Sequence, residues 1–391
     1  MRRGVAGPNR AIDLAVPCHS SAVDWRSEYC RRFRIMVRSV PRLLIAGTSL
    51  VLFGCSRGQT GGNPDADTVV PEVTTQTAVR VALAEPDTLL HDNLLGQPGV
   101  MLATGSRLWI ADRTSDPYLH AADLKSRRIE RSFGRRGEGP GDLLSVGSIS
   151  VRRGREGAVW VFDVRTRRLT EFRADARLAT VATVSLPTRA LRAWWLDSTR
   201  ILALGSADSN RLMIFDPDGI RLATFRSPLL GADSVSMAAR VSASSAVKVC
   251  GPIGGPTWAM SFISAGRIDL LDPAVGLVGR ARTPVTTDGY FIADSAGGWS
   301  APIPRLYYVD CTATSHRFYG LFSGRLREAF AGDDASNGRE VHVFDWTGRL
   351  IRVLVLSTDA GYIEVDGDTL LYSGAHGEST ILRHIIPAEK P

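Results

Sequence analysis

A short β unit recurs along most of this chain, and it constrains the fold more than any other feature. Apolar strands that close on an aspartate read Arg107-Leu-Trp-Ile-Ala-Asp112, Ala158-Val-Trp-Val-Phe-Asp163, Leu212-Met-Ile-Phe-Asp216 and Val341-His-Val-Phe-Asp345. Units of roughly 40 to 50 residues made only of strands cannot each bury both faces of their small sheet, so they must stack on one another. That requirement points to a β-propeller. Six units can be placed, at 100–134, 148–186, 190–225, 238–283, 305–356 and 361–386. No run of ten or more residues from Val79 onward keeps a helical apolar period, and Gly or Pro interrupts nearly every candidate. The sixth unit supplies only three strands, which would leave a bare sheet edge. The alternating segment Gln76-Thr-Ala-Val-Arg-Val-Ala-Leu83 is expected to fill it. The fold class is therefore all-β: a six-bladed propeller of four-stranded blades, closed by an N-terminal strand. Successive units start roughly 48, 42, 48, 67 and 56 residues apart, which assigns the insertions to the fourth and fifth units.

The formal charge of +7 invites a nucleic-acid reading, but its source is local. Of 47 basic and 40 acidic residues, nine Arg and three acids lie in the first 54 positions, leaving 38 against 37 in the rest. The body of the protein is nearly neutral, so electrostatic steering toward nucleic acid has no basis.

From Met36 the chain passes Arg38 and Arg42 into an apolar stretch at 43–53 and reaches Gly54-Cys55. A short positive region, an apolar region too short for a stable span and a small residue before Cys together resemble the bacterial lipoprotein signal. The resemblance implies cleavage before Cys55, lipidation of that residue, and a place in the cell envelope on a membrane surface. Residues 1–35 lack this pattern and read as a spurious N-terminal extension, 36–54 as signal peptide, 55–75 as a flexible polar tether and 76–391 as the propeller. Cys250 and Cys311 remain in the body. In an oxidising compartment they could pair, although each also sits in an apolar run that suits a buried free thiol.

The segment Ser132-Phe-Gly-Arg-Arg-Gly-Glu-Gly-Pro-Gly-Asp142 resembles an element of bacterial six-bladed propeller lipoproteins related to the NHL and TolB-like propellers, with Asp142 in place of the usual Glu. Tyr319-Gly-Leu-Phe-Ser-Gly324, Val343-Phe-Asp-Trp-Thr-Gly348 and Leu371-Tyr372-Ser373 look like the closing part of the same group. The likeness implies fold and compartment and carries no catalytic set. Gly137, Gly139 and Gly141 read as an inter-blade turn of positive φ, because a phosphate cradle would end in Gly-Lys-Ser/Thr before a helix.

Chemistry-bearing motifs are sparse. A calcium lactonase channel would draw on carboxamides, yet from Gln76 onward the chain has only Asn93, Asn210 and Asn337. His91, His120, His316, His342, His376 and His384 show no zinc spacing, and no Gly-x-Ser-x-Gly elbow occurs. The repeated aspartates read as turn-capping residues, and Trp109, Trp160 and the Trp194-Trp195 pair as packing between blades. No cofactor, metal or catalytic residue is assigned. The expected function is binding or scaffolding of a protein, peptide or glycan at one end of the ring. The alternative is a secreted hydrolase or lyase, lactonase-like, with its site in the central channel.

Overall fold

A computed structural model describes residues 72–73, 78–91 and 94–389, apart from 176–179, 188, 206–210, 227–228, 246, 253, 283–288, 294–297 and 330–333. Cys55, the leader at 36–54, Asn93 and Asn210 lie outside the described residues.

Six antiparallel sheets follow one another. Counted from the axis outward, blade one is Pro98–Thr104, Arg107–Asp112, Leu119–Asp123 and Arg128–Phe133. Blade two runs Val146–Ser150, Ala158–Asp163, Arg168–Arg173 and Thr180–Ser185, and blade three Ala190–Trp195, Ile201–Gly205, Arg211–Phe215 and Arg221–Arg226. Blade four runs Val247–Cys250, Trp258–Phe262, Arg267–Asp272 and Gly276–Arg282, and blade five Tyr308–Ala313, Arg317–Phe322, Gly338–Asp345 and Leu350–Ala360. Blade six has Tyr362–Asp366, Leu370–Gly374 and Thr380–Ile385 from the C-terminal end of the chain, with Asp87–His91 as its outer strand. The ring closes through the inner strands of blades six and one, where the Ala103 amide donates to Glu364 Oε1 at 3.0 Å.

Closure by an N-terminal strand is as expected, but the strand is a different one. Asp87–His91 pairs antiparallel with Thr380–Ile385 and buries Leu89 and Leu90. Val79–Ala82, inside the segment expected to close the ring, instead lies parallel along the outer strand of blade five, and Glu72–Val73 lies parallel along that of blade four. The N-terminal chain thus covers the rims of two blades before it enters the third, protecting edges that would otherwise be open to pairing. The physical reason is the pattern of burial. Val79 is exposed and only Val81 and Leu83 turn inward, which suits a rim position, whereas Leu89 and Leu90 both turn inward across a bulge opposite Ile381 and Leu382.

The core lies between blades, and tryptophans mark how. Trp194 and Trp195 point to opposite faces of one strand. Trp195 meets Trp160 of blade two at 5.1 Å between ring centroids, and Trp194 meets Trp258 of blade four at 6.1 Å. Both are buried because both faces of the blade are covered.

The aspartates fall into two classes that the linear pattern merged. Asp112 and Asp163 end second strands. Asp112 accepts backbone N–H bonds from Thr114 and Ser115 of its own turn and from Gly96 and Gln97 of the connection entering the blade. Asp163 does the same with Arg165, Thr166, Leu144 and Ser145. Asp216 and Asp345 instead end third strands at the opposite end of the ring and cap only the turns that follow them. In the glycine-rich connection after blade one, only Gly134 and Gly141 take positive φ. Gly137 and Gly139 are small for another reason: a Cβ at either would stand within 2.7 Å of Asp142 Oδ2.

Candidate functional site at the channel mouth

Antiparallel pairing puts two kinds of connection at the end where inner strands begin: outer strand to next inner strand, and second strand to third. We call this end the entry face. Every folded insertion among the described residues lies there. The helix Met237–Ser245 precedes the inner strand of blade four, the paired strands Ile292–Ala293 and Trp299–Ser300 precede that of blade five, and the 3-10 turns Arg327–Ala329 and Asp334–Ser336 join the second and third strands of blade five. The exit face carries turns and the seven-residue loops 151–157 and 251–257, with no added helix or strand among the described residues.

These insertions are packed into the ring. Ser236 caps the helix, its hydroxyl accepting from the Ala239 amide at 3.4 Å, and Ala239 and Ala243 turn inward. Ser244 Oγ accepts from the Leu230 amide at 2.7 Å, which fixes the incoming chain against the helix. Phe291 lies against Gly231 and Gly289, both at positive φ, and a Cβ on Gly231 would come within 2.6 Å of its ring. Beyond this support the entry face displays exposed Leu94, Met237, Tyr290, Ile292 and Leu326.

Inside this rim, charged side chains from four blades approach the axis. Lys248 Nζ of blade four stands 3.4 Å from Asp310 Oδ1 of blade five, with side chains 14% and 16% exposed. The other oxygen of Asp310 accepts from the Ile363 amide of blade six at 3.0 Å. Next to Ile363, the Tyr362 ring carries the Arg113 guanidinium of blade one at 6.0 Å from its centroid, while the Tyr362 hydroxyl is 2.7 Å from His376 Nδ1. Arg192, on the inner strand of blade three, feels the charges of Asp310, Arg113 and Tyr362, on blades five, one and six. Burial lowers the pKa of Arg192. It also brings Lys248 down to about 8, because desolvation together with Arg192 and Arg113 outweighs the attraction of Asp310.

One layer deeper, Glu364 is almost wholly buried. Its oxygens accept from the Ala103 amide and from Thr312 Oγ1 at 2.8 Å, yet desolvation pushes its pKa up to about 8, so at neutral pH it is mostly protonated. The mouth therefore holds three basic side chains, faced by Asp310.

Cys250 and Cys311 sit on the inner strands that carry Lys248 and Asp310, with Cα atoms 5.9 Å apart, within the span of a disulfide. Among the described residues the histidines do not converge. His120 lies between Ser115 and Ser132, His342 against Tyr308 and Glu340, and His384 against Ser373. Among the described residues no group of three or more His, Cys, Asp or Glu is arranged to hold a metal ion. The sequence reading passed over Arg113, Arg192, Lys248, Asp310 and Glu364. The available signal was a single charged residue inside the first strand of each of units three to five, and Glu364 ahead of the closing Asp366 in that of unit six.

Residues 280–368 match the TolB-like six-bladed propeller family model. No curated protein matches the chain in sequence. Among solved structures, a protein of Bacteroides fragilis described as exported is similar at 11% identity and a TM-score of 0.51, covering 80% of this chain and all of its own. The β-propeller domain of Cps50 (Swd1) from Myceliophthora thermophila aligns at 12% identity and a TM-score of 0.43, over 78% of this chain and 99% of its own. At these identities the likeness is one of fold.

Proposed function

We propose that this chain is a binding module of the bacterial cell envelope, tethered to a membrane through lipidated Cys55, that presents its entry face to a protein or peptide partner. One observation carries the reading: every folded insertion among the described residues lies on the entry face. In repeat folds, insertions gathered on one side mark the side that varies with the ligand, while the repeats themselves supply the scaffold. Exposed aliphatic and aromatic side chains on that face, Met237, Tyr290, Ile292 and Leu326, suit a polypeptide surface.

Panning a random-peptide library over the immobilised protein tests this. Selected peptides should lose binding to a Tyr290→Ala/Ile292→Ser variant and keep it with Ile220→Ser or Val275→Ser, which alter exposed apolar residues of the exit face. Peptides sensitive only to the exit-face changes would overturn the assignment.

A further inference from the structure

We propose that the channel mouth is an oxyanion site in which Arg192, Lys248 and Arg113 receive a carboxylate of the docked partner. The inference deepens the entry-face reading and rests on it. Arg192 is the residue that demands an explanation. A guanidinium offers five donors in a rigid fork, and among the described residues no side-chain or backbone acceptor hydrogen-bonds to this one. Lys248 shares Asp310 with the Ile363 amide, and the exposed Arg113 guanidinium lies over the face of Tyr362. Arranging these cations together costs free energy, because Arg192 and Lys248 lose hydration, repel each other and are both repelled by the more exposed Arg113.

The neighbouring acids leave that surplus in place. Asp310 is the acid within reach of both Arg192 and Lys248. Glu364, the acid of the next layer, faces Ala103 and Thr312, with Asp310 and Asp366 as its charged neighbours, and it is mostly protonated at neutral pH. A carboxylate entering from the entry face would supply paired acceptors to the Arg192 fork and a second counter-charge to Lys248. An acidic side chain or a chain terminus of a peptide brings that group together with apolar surface for the rim, where exposed Tyr290, Ile292 and Leu326 stand.

The test is isothermal titration of the purified protein at low ionic strength with succinate, with inorganic phosphate, and with chloride as the ionic-strength control. Succinate should give a saturable one-to-one isotherm, weakened about tenfold or more by Arg192→Met and separately by Lys248→Met, since each removes a charge-assisted contact. Arg192→Met deletes a cation with no hydrogen-bonded acceptor and should melt at or above the wild-type temperature, whereas Lys248→Met also takes the 3.4 Å partner from Asp310 and should melt lower, and either one alone suffices if the other fails to fold. A wild type with no saturable succinate isotherm, succinate binding unchanged in a folded variant, or binding of phosphate without succinate would each overturn the proposal. None of these outcomes bears on which face the selected peptides occupy.

Discussion

Replacing Glu364 by glutamine should stabilise the protein, and by an amount set by pH. Gln keeps an acceptor for the Ala103 amide and can donate to Thr312 Oγ1, so both inter-blade contacts survive. What disappears is the cost of ionising a buried carboxyl. The native pKa of about 8 lies above the ordinary 4.5, so the folded state holds a proton that the unfolded chain has released. Stability contributed by the protonated acid is complete below the unfolded value and is lost as pH rises from there toward 8. At 1.36 kcal/mol per pKa unit, the wild type forfeits under about 1 kcal/mol at pH 5 and about 4 kcal/mol at pH 8. For a domain of this size that is roughly 8 °C in Tm at pH 8. Other titrating groups are common to both proteins and cancel in the difference. Calorimetric melting of wild type and Glu364→Gln at pH 5, 6.5 and 8 reads it directly. A variant advantage that stays flat with pH, or shrinks as pH rises, would refute a neutral, desolvated carboxyl in the channel.

Leu90→Ala should cost about 2–4 kcal/mol, since Leu90 is buried where Asp87–His91 closes the last blade, and truncation through His91 should abolish cooperative unfolding while truncation through Val73 leaves it intact; urea melts separate these cases, and equal effects of the two truncations would deny closure by that strand. If Cys250 and Cys311 pair across blades four and five, closing a 61-residue separation, the Cys250→Ser/Cys311→Ser variant should lose about 4 kcal/mol in the chain-entropy picture, read by denaturant melts with free thiols titrated on the unfolded wild type. Cys55→Ser should move the protein from the membrane to the soluble fraction, because diacylation makes attachment stable where one chain does not; unchanged fractionation would refute the anchor.

Much of the fold was legible because blade formation is a local matter. The strands of units one, two and three announce themselves by alternation and by turns such as Asp216-Pro-Asp-Gly219, and hydrogen bonds between neighbours in sequence then fix them. The closing strand was misassigned because two candidates lie only a few residues apart and the regular one, Val79–Ala82, belongs on a rim. The irregular one, Asp87–His91, carries a bulge that breaks its period. The fourth unit, placed from 238, has its first strand only at Val247–Cys250, because Met237–Ser245 is a helix capped by Ser236. The channel cluster was illegible for a different reason. Arg113, Arg192, Lys248 and Asp310 come from four blades over about 200 residues, and only ring closure brings them together. Asp142 shows the reverse case: its neighbours Gly137 and Gly139 were read as conformational glycines, whereas their smallness makes room for its carboxylate.

The most direct test of the account is hydrogen-exchange footprinting of the protein with and without a peptide selected on it. Protection is expected in the entry-face segments 94–97, 237–245, 290–293 and 298–300, and at 361–363 beside the channel mouth. Protection confined to the exit-face turns 123–128, 215–221, 272–276 and 345–350, with the entry face unchanged, would contradict the claim that this end of the ring is built for binding.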